Sequence, residues 1–280
     1  MAAAIGKELQ GKVCFIAGAS GAIGSAVAER FLREGARLAL GSHARKADSR
    51  LAGFSSDDTV LRLQFDVRCW NEVQQAVERA HENFGALDVL VNCTGVQGPI
   101  GPAHTVGPDD WARAIEINLL GAFHLVRAVA PLMIQQGGGK IVHFSGGGAA
   151  YARPFFTAYA ASKAAVVRLT ECLAGELHES NVQVNSIAPG PVRSRMWDEM
   201  RAAGAAAGAK TLLEIAQMEE TGGIPASRAA ALALFLASSR SNGLTGRLIS
   251  GVHDRWEDFP GKISTIMKTE GGTLRRVPLD

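Results

Sequence analysis

Seven short apolar runs punctuate the chain, and most are followed by a longer stretch in which apolar residues recur every three or four positions. The runs Val13–Ala17, Arg37–Gly41, Leu61–Phe65, Leu87–Asn92, Lys140–Ser145, Val182–Ile187 and Arg247–Gly251 have the length and continuity of strands buried on both faces. The segments Ile23–Arg33, Asn71–Phe84, Pro108–Ile134, Thr157–Glu176 and Ser227–Ala237 carry the period of amphipathic helices. This alternation predicts an α/β domain: a doubly wound, seven-stranded parallel sheet with helices on both faces, joined by right-handed crossovers. Two segments depart from it. Pro191–Gly223 contains a Gly-interrupted, Ala-rich run at 202–209 and is expected to act as a lid. Val252–Asp280 is polar and aperiodic, anchored by Trp256 and Phe259, and is expected to be an atypical C-terminal extension. No repeat or linker divides the chain, so a single domain is predicted.

Composition narrows the function. With 280 residues and 47% hydrophobic content, one large core is within reach. A formal net charge of +2 argues against nucleic-acid or anionic-membrane partners. No run of about 20 apolar residues is present to span a bilayer. The start, Met1–Ile5, is too short for a signal-peptide core. The four cysteines (Cys14, Cys69, Cys93, Cys172) show no CxxC or ligand spacing and read as reduced, buried thiols of a cytoplasmic protein. The seven histidines form no cluster, so no protein-bound metal is expected.

Candidate chemistry lies in two places. After the first strand, Gly18, Ser20, Gly21, Ile23 and Gly24 form a glycine-rich loop that opens a helix. Glycines allow the tight turn and bring backbone amides to a pyrophosphate at the helix N-terminus. An acid at the end of the second strand would bind ribose hydroxyls and repel a 2′-phosphate. Here that place reads Gly41-Ser42-His43-Ala44-Arg45-Lys46, with a hydroxyl and two cations. NADP(H) is therefore the expected cofactor, with NAD(H) as the alternative; the competing reading of Arg45 and Lys46 is that they only cap and solvate the next helix.

The second place is Tyr159 and Lys163, four residues apart in a helical run and hence on one face. An ammonium beside a phenol stabilises phenolate and lowers the tyrosine pKa from about 10, which suits a proton donor or acceptor near neutrality.

Taken in order, these motifs resemble those of the short-chain dehydrogenase/reductase family from Lys12 to about Gly251. They are the Gly18–Gly24 loop, Asp66-Val67, Asn92-Cys-Thr-Gly95, Asn118, Tyr159-x-x-x-Lys163 and Pro189-Gly190-Pro-Val192-Arg-Ser194. The resemblance implies a Rossmann fold and an oxidoreductase acting on a carbonyl or secondary alcohol, with Tyr159 as general acid/base. It implies that Lys163 holds the nicotinamide ribose, and that it lowers the tyrosine pKa together with the charge of an oxidised nicotinamide. Asn118 would bind a water that links Lys163 to solvent. Asp66 and Val67 would contact adenine, Asn92 and Gly95 would line the cleft, and Val192 and Ser194 would contact carboxamide and phosphates. A homodimer or homotetramer, built through the long fourth and fifth helices, is implied in the same way.

Two departures stand out. Ala22 replaces the family's second loop glycine, which a helical backbone tolerates. The family's substrate-orienting serine lies thirteen residues before the tyrosine, and that position is Gly146; Ser145 precedes it. A one-residue shift turns a side chain to the other face of a strand, yet Gly146-Gly147-Gly148 can adopt dihedrals that re-aim Ser145. Ser145 is therefore the candidate donor to the carbonyl, with a backbone amide of the glycine run or the substrate itself as the alternatives. Among other residues, His143 reads as a core histidine with one satisfied nitrogen and Cys93 as packing. His104 is a candidate substrate contact. Tyr151 reads as a pocket wall, and Arg153, Phe155, Phe156, Met196 and Trp197 as residues that shape the pocket. Two rival functions remain at this level: a cofactor-sensing regulatory protein, and an epimerase or dehydratase that uses the nicotinamide transiently.

Overall fold

The structure is a computed structural model that describes residues 7–43, 49–54, 58–277 and 279. In chain order it comprises β1 (Val13–Ala17), α1 (Ala22–Arg33), β2 (Arg37–Ser42), β3 (Val60–Gln64), α2 (Trp70–Phe84) and β4 (Val89–Asn92). There follow α3 (Pro108–Ile115), α4 (Gly121–Gln135), β5 (Gly139–Phe144), α5 (Thr157–Glu176), β6 (Val182–Ala188), α6 (Arg195–Ala203), α7 (Ala209–Thr221), α8 (Ala226–Ala237), β7 (Leu248–Ser250) and α9 (Ile263–Ile266). All seven strands run parallel in the order β3-β2-β1-β4-β5-β6-β7. The order reverses between β1 and β4, the crevice where open α/β sheets bind ligands. Register aligns the carboxyl ends there: Ala17 pairs with both Gly41 and Asn92, and Asn92 with His143.

One core cluster packs α1 and α8 on the sheet through Val27, Phe31, Leu232 and Phe235; a second packs α2 and α4 on the other face through Val73, Val77, Leu125 and Met133. Central strand β1 is apolar and buried along its whole length because both faces are covered, whereas β4 and β5 break that pattern at Asn92, Lys140 and His143.

The third helical segment is a continuous rod, Pro108–Gln135, but with a π turn at Glu116–Leu120 between α3 and α4. By length and composition the rod would suffice to cross a bilayer. Its apolarity serves the core instead: Ala122, Leu125, Val129 and Met133 are fully buried, while Leu120, Phe123 and Ile134 are about half exposed.

The segment after β6 folds into α6 and α7 and closes a third, smaller core of Phe156, Tyr159, Trp197, Met200, Ala207, Ile215 and Met218. The chain beyond β7 has little regular structure yet is firmly docked. Trp256 packs on Phe235 at 5.8 Å, and the half-buried Phe259 meets the same ring edge-on. Arg247, almost fully buried, donates to the carbonyls of Ile266, Met267 and Thr269 and so ties the end of α9 to β7.

Candidate active site

The glycine-rich loop fits a dinucleotide because only hydrogens are accommodated at its turns. Gly18 has φ +74°, and a Cβ there would lie 2.8 Å from the Cys93 carbonyl carbon. A Cβ on Gly24 would lie 2.8 Å from Ala19 Cα. Gly21 is the N-cap of α1 and offers no side-chain cap, so the first amides of the helix are left for an anion. Ser20 and Ile23 are partly exposed beside them. Arg50, invisible as a site residue in the sequence, donates to the Ser20 carbonyl at 3.4 Å.

At the end of β2, Ser42 is half-buried and His43 is exposed, its Nε2 3.4 Å from Asp66 Oδ2. Arg45 and Lys46 lie outside the described residues. The Arg68 guanidinium bonded to Asp66 holds that carboxyl down at about 2, so it is an anion throughout the working pH range. Val67 is buried against α4, where a Cβ on Gly121 would come within 2.8 Å of its Cβ.

The reactive end is built where β4, β5 and α5 converge. Lys163 is 3% exposed and donates from Nζ to the Phe144 carbonyl at 2.9 Å. Gly95 keeps the space before that ammonium open: a Cβ on it would lie 3.2 Å from Nζ, and 3.4 Å from both Asn118 Oδ1 and Met196 Cε. Asn118 sits in the π turn. Its amide donates to the Val96 carbonyl (3.0 Å) and to Ser162 Oγ (2.9 Å), and its oxygen accepts from the Val96 amide (2.9 Å). Asn92 accepts from the Thr94 amide and hydroxyl and reaches His143 Nδ1 at 3.4 Å. His143 is thus the core histidine its position suggests, with Nε2 unpartnered and burial pushing its pKa down to about 4. Cys93 is likewise inert, its thiol pushed up by burial. His104 is exposed.

Two expectations change. Lys163 does not by itself hold the Tyr159 phenol down. Burial of the ring is the dominant influence and raises the tyrosine pKa; the cation that opposes this is Arg153, 5.8 Å from the ring centroid. Burial also lowers Lys163 to about 8, so the two groups are brought together with both charges disfavoured.

Nor does Ser145 turn into the site. Its hydroxyl is buried and donates to the Lys163 carbonyl at 3.2 Å, which directs it into the α5 backbone. The place before the tyrosine belongs to Gly146, where a Cβ would come closer than 3.0 Å to Tyr159 Oη and within 3.1 Å of Cζ. The glycine lets the phenol occupy the volume a serine would fill.

Downstream, Pro189 is buried and Gly190, at φ +81°, is overlain by Val252 of the C-terminal extension; a Cβ there would lie 2.5 Å from Val252 Cγ2. Val192 bridges to Ile224, which ties together the two ends of the α6–α7 segment, and Ser194 is the N-cap of α6. Phe155 adopts φ +70°, unusual for an aromatic residue, beneath Gly208 at the start of α7.

The chain matches the family model described as short chain dehydrogenase over residues 12–205. It is 38% identical over 268 residues to oxidoreductase UcpA of Salmonella typhimurium, covering 92% of this chain and 98% of that one. The structure of an NAD+-bound xylitol dehydrogenase superposes with a TM-score of 0.78 at 30% identity, over 87% of this chain and 98% of that one. The crystal structure of levodione reductase gives a TM-score of 0.78 at 26% identity, over 86% and 96%. Loop, buried Tyr–Lys pair, parallel sheet and these likenesses agree: the chain belongs to the short-chain dehydrogenase/reductase family, NAD(P)-dependent oxidoreductases of alcohol and carbonyl groups.

Proposed function

We propose that this protein interconverts a ketone and a secondary alcohol with NADP(H), using Tyr159 as the general acid/base. The observation that carries the reading is the common burial of Tyr159 and Lys163 on one face of α5, with Lys163 Nζ beside Gly95 of the same loop whose Cys93 and Thr94 pack on Gly18 of the glycine-rich turn. Gly18, Ser20, Gly21, Ile23 and Gly24 would hold the pyrophosphate, Asp66 and Val67 the adenine, and Asn92, Gly95, Lys163, Pro189, Gly190, Val192 and Ser194 the nicotinamide half. When bound, the dinucleotide supplies or accepts the hydride.

The protein's own part is proton handling. Tyr159 Oη gives its proton to the substrate oxygen in reduction and removes it in oxidation. A phenol raised by burial keeps that proton until the oxygen acquires negative charge, which favours transfer at the moment of need. Lys163 remains an ammonium below about pH 8 and, with Asn118, offers the route by which the proton is replaced. The α6–α7 segment, resting on Tyr159 through Trp197 and Met200, acts as the lid that excludes water.

Replacing Tyr159 with Phe should abolish NADPH-dependent reduction in a panel of cyclic ketones, diketones and acyl thioesters. A variant as active as the parent would refute the assignment. NADP(H) preference is supported by the lack of an acid at Gly41-Ser42-His43 and by Arg50 beside Ser20. It requires kcat/KM for NADPH to exceed that for NADH by about tenfold or more, the equivalent of one phosphate contact of about 1.4 kcal/mol. A homodimer or homotetramer through α4 and α5 accounts for the exposed Leu120, Phe123 and Ile134, and free, unpaired cysteines suit a cytoplasmic setting. A cofactor-sensing role without turnover is the second reading, favoured by the departure at Gly146.

A further inference from the structure

The site has a tyrosine for the proton, but among the described residues neither Ser145 nor Gly146 presents a side-chain hydroxyl for the second hydrogen bond to a carbonyl oxygen. Ser145 is committed to the Lys163 carbonyl, and position 146 has no side chain. The chain contains only two tyrosines, and both hydroxyls lie against the same glycine run. Tyr159 Oη abuts Gly146, and Tyr151 Oη lies 2.9 Å from where a Cβ on Gly147 would be. Tyr151 is 60% exposed, and its hydroxyl makes no hydrogen bond to the described residues. Its ring faces Lys210 of α7, with Nζ 5.9 Å from the centroid, so the lid segment bears on its position. The Tyr151 phenol is also close enough to oppose ionisation of Tyr159.

We infer that Tyr151 is a second catalytic residue, whose hydroxyl donates a hydrogen bond to the substrate oxygen beside Tyr159, in place of the serine missing at position 146. This rests on the oxidoreductase reading above. Tyr151 acts only as a hydrogen-bond donor: it polarises the C=O bond and stabilises the charge that gathers on oxygen, while Tyr159 alone transfers a proton. Gly147 is required on this account, because a side chain there would push the Tyr151 hydroxyl out of its place.

The test is Tyr151→Phe in the full chain, with NADPH and with diacetyl and cyclohexanone as carbonyl probes. Loss of one such donor should lower kcat about 100-fold. KM should change little, cofactor affinity should be unaltered, and the deuterium isotope effect on kcat from labelled NADPH should increase, since hydride transfer becomes slower. Because the ring is retained and exposed, folding is preserved, and an unchanged melting temperature checks this. A kcat within about twofold of wild type, or a loss confined to KM as a mere wall residue would give, overturns the inference and leaves the amides of Gly147 and Gly148 as donors. Tyr159→Phe, run in parallel, separates the two readings. If Tyr159→Phe is dead while Tyr151→Phe is normal, only this inference falls. If Tyr159→Phe is active, or the wild type reduces neither probe, the proposed ketone reduction through Tyr159 falls with it.

Discussion

Restoring the family's serine should inactivate this enzyme. In Gly146→Ser the new Cβ would stand closer than 3.0 Å to Tyr159 Oη, 3.1 Å from Cζ and 3.4 Å from Cε1, before the added hydroxyl is considered. Ordinary contact requires the ring or the loop to withdraw by on the order of 1 Å, a displacement that costs about 100-fold when it falls on a reacting group. There is little room to absorb it. Tyr159 is packed with Phe156, Trp197 and Met200, all under 9% exposed, and Arg153 lies across both aromatic rings. Overpacking of this kind costs about 1–3 kcal/mol, which at roughly 2–4 °C per kcal/mol for a chain of this size lowers Tm by several degrees. The assay is steady-state reduction of diacetyl by NADPH, with Tm from differential scanning fluorimetry and cofactor affinity from fluorescence titration. Expected are a kcat reduced about 100-fold, a lower Tm and an unchanged cofactor Kd, since Gly146 is remote from the phosphate loop. Gly147→Ala is the control for stability: its Cβ meets only the tip of the exposed Tyr151, which can swing aside, so Tm should hold. Wild-type kcat and Tm in Gly146→Ser would refute the packing argument.

Three further outcomes follow from the same contacts. Ser145→Ala should leave kcat within about threefold while lowering stability by about 1 kcal/mol, the worth of one neutral buried hydrogen bond; a tenfold kinetic loss would return the serine to the mechanism. His143, buried and depressed from 6.5 to about 4, favours the folded state above its ordinary pKa, and that stability is lost as pH falls through the interval between them. Urea titrations at either end should show the loss in wild type and a smaller one in His143→Gln. Lys140, whose ammonium meets Ser241 Oγ at 3.2 Å and is depressed by burial to about 8, is a base that the fold holds against protonation. Lys140→Met should therefore melt higher than wild type at pH 7, by an advantage that shrinks as pH rises from about 8 towards 10.5; equal curves at both ends would contradict this.

The strands were readable because a doubly covered sheet favours apolar runs, as in Val13–Ala17, and the helix Thr157–Glu176 was readable from its period; both coincide with their expected limits. The π turn was not readable. The family resemblance singled out Asn118 for its role, but neither it nor Gly121 signals a change of helical turn until the contacts of the first with Val96 and of the second with Val67 appear. The aim of Ser145 was equally hidden, since a glycine run permits several backbone paths and only the packing of α5 selects one. The sign of the Tyr159 shift was missed for a related reason: residue spacing reports a neighbouring charge but says nothing of burial. The C-terminal extension has no period to read because it is held by Arg247, Trp256 and single backbone bonds.

That extension has a consequence for how copies of the chain can meet. The Leu248 amide of β7 donates to the Gly272 carbonyl at 2.7 Å, with Gly272 at φ +72° so close that a Cβ would lie 2.8 Å from the Leu248 carbonyl oxygen. Beyond it the Leu274 amide donates to Glu171 and Arg168 to the Leu274 carbonyl, so the strip is fastened to α5. A terminal strand whose outward donor is already engaged offers no template for another molecule's strand. Growth of the sheet from one subunit into the next is thereby foreclosed on this side, and a chain shortened before Val252 should regain it as sticky, salt-insensitive self-association.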